Sequence, residues 1–217
     1  MKKIVVVNAS PRKGWNTGSL VREAARGATE QGASVKVYDV YQQGKFTGCI
    51  SCFGCKLPKH EGVCVCQDGL TPILDDIRTA DGLILGSPNY LGNVTAGFRS
   101  LYERLIFPSI TYKTEIASYN THPIPVLLIM TSNASSQAYS SLGYDTMLAQ
   151  YQQTLTKFVG PTQVMVSGDT LQVNDYDRYG WTMFDPDMKK KKHEEIFPME
   201  KEKAYQLGVK MVVEPWM

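Results

Sequence analysis

The fold of this chain is most clearly indicated near its start, in the stretch Ile4-Val5-Val6-Val7-Asn8-Ala9-Ser10-Pro11-Arg12-Lys13-Gly14-Trp15-Asn16-Thr17-Gly18-Ser19. A short β-branched run gives way to a polar loop, and a helical pattern of apolar residues begins at Leu20. A strand, a loop and a helix in this order aim backbone N–H groups and the positive end of the helix dipole at an anion. The stretch therefore predicts a unit that holds a phosphate.

Strands and helices alternate along the rest of the chain. Apolar runs predict strands at residues 4–7, 35–40, 82–86, 125–130 and 163–167, and helical spacing predicts helices at about 18–31, 68–79, 96–107, 144–158 and 191–211. Five such strands predict an α/β fold with a doubly wound parallel sheet, because right-handed crossovers place helices on both faces. The loops after strands one, three and four then meet at one edge, where such sheets bind ligands.

Composition predicts one soluble domain over residues 1–217. The chain is 43% hydrophobic with a formal net charge of +2, which argues against nucleic acid and membrane partners. No apolar run is long enough to span a bilayer and no signal peptide is recognisable, so we expect a cytoplasmic protein. The basic run at residues 189–192 is expected to be a solvated approach to the last helix, and residues 108–122 and 168–190 are expected to be elaborated loops.

The first loop carries the donors that a phosphate monoester needs. Hydroxyl and amide side chains offer neutral donors, and Arg12 offers a charged fork. The alternative is an ordinary turn with a Ser or Thr helix cap. The length, basic character and position of the loop favour the phosphate. No G-x-x-x-x-G-K-[ST] or G-x-G-x-x-G motif is present, so a nucleoside triphosphate and a separate dinucleotide fold are not predicted.

All five cysteines lie in a loop at about residues 42–67. Cys49, Cys52 and Cys55 form a C-x2-C-x2-C run, a spacing that lets one loop place three thiolates around an iron–sulfur cluster. Cys64 or Cys66 could supply the fourth ligand. Zinc bound by four thiolates, with His60 as a less favoured ligand, and reduced cysteines without metal are the alternatives.

These motifs together resemble those of the flavodoxin-like NAD(P)H-dependent FMN reductases, and within them the iron–sulfur flavoprotein group. The resemblance rests on the Ser-Pro-Arg-Lys…Asn-Thr loop, on the run from Ser87 to Val94 after strand three, and on the closely spaced cysteines after strand two. It covers about the first two-thirds of the chain. It implies a flavodoxin-like sheet in the order 2-1-3-4-5 and bound FMN. The gap between Cys55 and Cys64 is longer than in that group, so the [4Fe-4S] cluster and the metal-free alternative both stand.

The resemblance also implies a role for each loop. The first loop would hold the FMN phosphate, the loop after strand three would meet the flavin ring, and the loop after strand four would lie over the ribityl chain or the pyrimidine edge. A flavin ring needs flat apolar contacts and backbone donors. The plainer alternative for the loop after strand three is an ordinary turn in which Thr95 caps the next helix. The predicted cofactor-binding residues are Ser10, Arg12, Asn16, Thr17, Ser19, Pro88, Asn89, Tyr90, Leu91, Gly92, Asn93, Val94, Thr131 and Ser132, and the predicted metal ligands are Cys49, Cys52, Cys55 and Cys64, with Cys66 as the alternative fourth.

Function follows from what such a site can do. The flavin itself carries the chemistry, so no catalytic side chain is predicted. The first hypothesis is an oxidoreductase that passes electrons from NAD(P)H through FMN to a quinone, a free flavin or an oxygen species. The second is an iron–sulfur flavoprotein that relays electrons between ferredoxin, a cluster and FMN, and the third is a non-enzymatic thiol or metal sensor. Relatives of this kind imply a homodimer or homotetramer.

Overall fold

The computed structural model describes residues 1–216 of the chain. Its strands are β1 (Lys3–Asn8), β2 (Ser34–Asp39), β3 (Gly82–Pro88), β4 (Val126–Thr131) and β5 (Thr162–Ser167). Its α-helices are α1 (Asn16–Glu30), α2 (Thr71–Arg78), α3 (Ala96–Ser109), α4 (Tyr144–Phe158), α5 (Pro186–Glu195) and α6 (Phe197–Val213). Within residues 1–216, no helix combines the length and the apolar character that a bilayer crossing requires.

The five strands form one parallel sheet in the order β2-β1-β3-β4-β5, which confirms the predicted flavodoxin-like fold. Residues of β1 alternate between two hydrophobic cores because successive side chains point to opposite faces. Val5 and Val7 pack with α2, α3 and α4, whereas Ile4 and Val6 pack with α1 and α6. The consecutive apolar runs in the sequence are therefore strands that helices cover on both faces.

The end of the chain differs from the prediction. Instead of one helix at about 191–211, the structure has α5 and α6, which meet at Ile196. Asp185 caps α5, where its carboxylate accepts the N–H groups of Asp187 and Met188, and Pro198 lies in the first turn of α6. Proline is favoured at a helix start and breaks a helix that runs through it, so it separates the two helices.

The basic run lies within α5 and is solvated only in part: Lys190 and Lys191 are exposed as expected, whereas Lys189 is buried. Its ammonium group donates to the Asn133 side-chain oxygen at 2.7 Å and contacts the Asp169 carboxylate. A buried ammonium group requires such partners, so this lysine fastens α5 to the loops after β4 and β5.

Helix α6 lies unusually close to α1. A Cβ atom on Gly208 would stand 1.9 Å from the carbonyl oxygen of Ala24, and one on Gly27 would stand 2.1 Å from that of Tyr205. Both obstacles are backbone atoms, which cannot turn aside as a side chain can. The two glycines therefore let the helices pack backbone to backbone over the core face of β1.

We expect Gly208→Ala to lower the free energy of unfolding by about 2 kcal/mol, because overpacking outweighs the gain of about 1 kcal/mol in helix propensity. Urea unfolding followed by circular dichroism measures the change. Gly180→Ala is the control, since no atom lies within 4 Å of its added Cβ. A Gly208→Ala variant as stable as the native chain would show that α1 and α6 are not in this close contact.

Candidate functional site

The ends of four strands surround a cavity of about 120 Å³ at the carboxyl edge of the sheet. Its walls come from the loop and helix after β1, from the end of β3, from the end of β4, and from the segment after β5. The lining residues are Ser10, Arg12, Trp15, Asn16, Thr17, Pro88, Asn89, Tyr90, Thr131, Ser132, Asn133, Thr170, Leu171 and Gln172. This edge is where parallel α/β sheets bind ligands.

Most of the predicted cofactor-binding residues therefore lie together. Ser19 does not line the cavity, because α1 begins earlier than predicted and carries Ser19 into its interior. The four residues Leu91, Gly92, Asn93 and Val94 also lie outside the lining. Sequence reasoning missed Trp15 and Asn133, and it missed the segment 170–172, since nothing in the local sequence ties that segment to a loop near the start of the chain.

The first turn of α1 faces this cavity with open donors. The helix begins at Asn16, and Trp15 before it makes no side-chain capping hydrogen bond. The first N–H groups of a helix have no partner within the helix, and the helix dipole is positive at this end. No acidic residue lies in this first turn. An anion suits this position better than any neutral group.

Three side chains of the first loop converge on the segment after β5. Trp15 Nε1 and Asn16 Nδ2 both donate to the carbonyl oxygen of Leu171, at 3.0 and 2.7 Å. The guanidinium of Arg12 lies 4.5 Å from the centre of the Trp15 ring and donates to the carbonyl oxygen of Gln172 at 2.5 Å. We call residues 170–172 the crossing segment. The carbonyl oxygen of Leu171 receives two of these donors, so Trp15 and Asn16 reach a common acceptor.

The loop after β4 is held from both sides. Thr131 shares a hydrogen bond of 2.7 Å with Thr17 of α1, and both side chains are buried. Ser132 accepts a hydrogen bond from the Tyr139 hydroxyl at 2.9 Å and donates to the carbonyl oxygen of Ala134 at 2.7 Å. Burial raises the pKa of Tyr139, so its hydroxyl stays protonated. These bonds shape the edge of the cavity.

The loop after β3 uses its backbone N–H groups internally. Those of Gly92 and Val94 donate to the side chains of Asn89 and Asn93, and that of Asn93 donates to the carbonyl oxygen of Tyr90. The N–H groups that we expected to meet the edge of the flavin ring are therefore hydrogen-bonded within the turn. Thr95 caps α3 through the N–H of Phe98, as the plainer alternative predicted.

One buried donor at this site has no partner. The side-chain nitrogen of Asn89 is buried and makes no hydrogen bond, while its oxygen accepts the N–H of Gly92. A buried N–H group without a partner costs free energy, and such groups are uncommon in native proteins. Because Asn89 lines the cavity, its amide is suited to a polar atom of a ligand there.

All five cysteines line a second, mainly apolar cavity. Cys55 is buried and Cys52 is exposed, and burial raises the pKa of the Cys55 thiol. Buried Arg104 borders the same cavity, where its Nε donates to the Cys64 sulfur at 3.4 Å. His60 is not among the lining residues.

Zinc and a cubane cluster make different demands on these cysteines. Among residues 1–216, no three His, Cys, Asp or Glu side chains come together as the ligands of one ion. Zinc requires four ligands around one centre, whereas a cubane cluster binds each cysteine through a different iron atom. Among the metal groups, the C-x2-C-x2-C spacing of Cys49, Cys52 and Cys55 is what favours a cluster.

Sequence comparison finds known proteins to which this chain is similar. A sequence model of the NADPH-dependent FMN reductase family matches residues 2–170. An iron-sulfur flavoprotein of Methanocaldococcus jannaschii is 37% identical over 102 residues, which are 47% of this chain and 51% of that protein. An iron-sulfur flavoprotein of Methanosarcina thermophila is 30% identical over 104 residues, 48% of this chain and 52% of that protein. The chain thus spans about half the length of the curated relatives it matches.

Solved structures share the fold at low sequence identity. An NAD(P)H:quinone oxidoreductase from Methanothermobacter marburgensis superposes with a TM-score of 0.72 at 12% identity, over 96% of this chain and 98% of the other. An azoreductase from Bacillus anthracis gives a TM-score of 0.68 at 15% identity, over 97% and 100% of the two chains. At these identities the likeness establishes the architecture.

We expect Asn89→Asp to weaken binding of FMN, the flavin named by the matching family, by about tenfold. The aspartate keeps the oxygen that caps Gly92 but replaces the unpaired donor with a negatively charged acceptor. A fluorescence titration of apoprotein with FMN measures the affinity. Asn174→Asp is the control, because it adds the same charge at an exposed amide outside the lining. Equal FMN affinity in the two variants would contradict a role for the Asn89 amide.

Proposed function

This chain belongs to the NADPH-dependent FMN reductase family, whose cofactor is FMN, and from that premise we propose that it passes electrons from NAD(P)H through FMN to a small acceptor. The observation that carries the proposal is the cavity at the carboxyl edge, where the open first turn of α1 and the unpaired amide of Asn89 face one space. A dianionic phosphate fits the first of these groups, and a polar atom of the same cofactor fits the second.

The residues present fit FMN in three parts. Arg12 and the N–H groups at the start of α1 would hold the phosphate, with Ser10 and Asn16 beside them. Pro88 and Tyr90 would supply the flat apolar contacts of the ring system. When bound, FMN supplies the capacity to accept a hydride and to release electrons singly or in pairs. The chain's own residues bind and orient it.

The electron acceptor is proposed from the chemistry of the site. Leu91 is fully exposed and Tyr90 is about half exposed at the tip of the loop after β3, so an apolar surface lies beside the proposed ring position. A flat, uncharged molecule such as a quinone or a free flavin would pack there, and an oxygen species is the smaller alternative. The homodimer or homotetramer, the ferredoxin partner and the cytoplasmic location stay predictions.

We expect stoichiometric NADPH to bleach the flavin absorbance of the FMN-loaded protein under anaerobic conditions, with turnover when a quinone is added. The control is free FMN at the same concentration, which lacks a protein surface to orient the nicotinamide. If dithionite bleaches the bound flavin but neither NADPH nor NADH does so, the proposed reductase function is wrong.

The cysteine cavity favours a second candidate function. We propose that the cysteines hold a [4Fe-4S] cluster that relays electrons between ferredoxin and FMN. Three of them keep the C-x2-C-x2-C spacing, all five line one cavity, and the curated relatives are named iron-sulfur flavoproteins. Cys49, Cys52 and Cys55 would bind three irons, and Cys64 would bind the fourth.

We expect Cys64→Ser to lower the iron and acid-labile sulfide content of anaerobically reconstituted protein well below that of the native chain. Cys66→Ser is the matched control, since Cys66 lies two residues after Cys64 and its thiol lines the same cavity. The reverse pattern would assign the fourth position to Cys66. If the native protein holds no cluster under these conditions, the proposed electron relay is wrong, whereas the proposed reductase function is unaffected.

A further inference from the structure

Asp39 occupies an unexpected position for an acidic residue. It ends β2 beside the first loop, and it is only 9% exposed. A carboxylate near a phosphate site repels the ligand, so its presence requires an explanation. It belongs to β2, a strand that contributes no residue to the cavity lining.

Three side chains bind this carboxylate. Asn8 Nδ2 donates to one oxygen at 2.8 Å, and Arg22 donates to both oxygens at 2.7 Å. The ammonium of Lys13 lies 3.3 Å away. Burial alone would raise the pKa of Asp39, but the bonds from Arg22 and Asn8 outweigh it and lower the pKa, so the group stays ionised.

The partners of Asp39 also hold both ends of the first loop. The side-chain oxygen of Asn8 accepts the N–H of Ser10 at 3.1 Å, and its nitrogen reaches the carbonyl oxygen of Lys13 at 3.3 Å. Arg22 donates to that same carbonyl oxygen and to that of Gly18, both at 3.1 Å. The network therefore joins the start of the loop, its end and the first turn of α1.

We propose that Asp39 is a positioning residue that, through Asn8 and Arg22, holds residues 10–15 in the shape that receives the FMN phosphate. The inference rests on the proposed function, because it takes FMN as the ligand of this loop. A purely electrostatic role of Asp39 would change the affinity for FMN in the opposite direction from a positioning role. Removing the negative charge would free Arg22 and Lys13 and tighten phosphate binding, whereas loss of positioning weakens it.

The test is the affinity of Asp39→Asn for FMN and for riboflavin, which lacks the phosphate. Fluorescence titration of the apoprotein gives both dissociation constants. We expect the constant for FMN to rise about tenfold, since a charge-assisted network that orders several donors is lost. The constant for riboflavin should change less than about twofold, because the ring contacts lie on the loops after β3 and β4.

Asp76→Asn is the matched control. Asp76 also binds cations from neighbouring elements, with Lys3 at 2.8 Å and Lys36 at 2.7 Å, and it lies outside the cavity lining. Those lysines and the Tyr38 hydroxyl lower its pKa, so the variant also loses an ionised acceptor. We expect it to be less stable in urea and to leave both flavin affinities unchanged.

Asn8→Ala provides a second test that changes no charge. It removes the link between Asp39 and Ser10, so the positioning role requires a weaker affinity for FMN with little change for riboflavin. The double variant with Asp39→Asn should weaken FMN binding by less than the product of the two single effects, because both act through one network. If Asp39→Asn does not fold, Asn8→Ala carries the same comparison.

Three results would overturn the inference. An Asp39→Asn variant that binds FMN as tightly as the native chain, or more tightly, would leave no positioning role. Equal weakening for FMN and riboflavin would mark a general structural role. A native chain that binds riboflavin as tightly as FMN would instead show that the first loop does not hold the phosphate, and the proposed site would fail before the role of Asp39 is reached.

Discussion

Parallel pairing of β1 with β3 is the constraint on which the site depends. The connection that leaves β1 forms α1 on one face of the sheet, and the connection that leaves β3 forms α3 on the other. The two loops therefore diverge from adjacent strand ends and leave a crevice between them. Two hydrogen bonds keep this junction tight. The N–H of Ala9 donates to the carbonyl oxygen of Gly86 at 2.8 Å, and the side-chain hydroxyl of Thr95 donates to the carbonyl oxygen of Ala9 at 2.8 Å.

The polar atoms around this crevice are largely satisfied by the protein itself. The loop after β3 consumes its own N–H groups, Ser132 is bonded on two sides, and the donors of the first loop share carbonyl oxygens of the crossing segment. The exceptions here are the side-chain nitrogen of Asn89, which makes no hydrogen bond, and the start of α1, which has no side-chain cap. Few donors at this edge are thus left for a ligand.

The alternating strands and helices predicted the parallel sheet and the convergence of three loops, because these follow from strand spacing and from the right-handed crossover. The order of the strands came from the resemblance to the flavodoxin-like FMN reductases. The local spacing of the cysteines also predicted that their side chains lie near one another, and all five line one cavity. The sequence could not predict the crossing segment or the role of Asp39, whose contacts with the first loop join residues far apart in the chain. Nor did the sequence show that the N–H groups of Gly92 and Val94 donate to Asn89 and Asn93, since a turn residue such as Asn89 competes for them with any ligand.

The crossing segment has a consequence for how a cofactor would enter. Trp15, Asn16 and Arg12 already donate to neutral carbonyl oxygens, so a phosphate that takes these donors exchanges acceptors without adding many hydrogen bonds. The binding free energy then comes mostly from replacing neutral carbonyl acceptors with an ionic acceptor, which forms stronger hydrogen bonds. Uptake would consequently respond to ionic strength and to the ionisation of the phosphate more than to the number of contacts, and its rate would depend on how readily the chain after β5 moves aside.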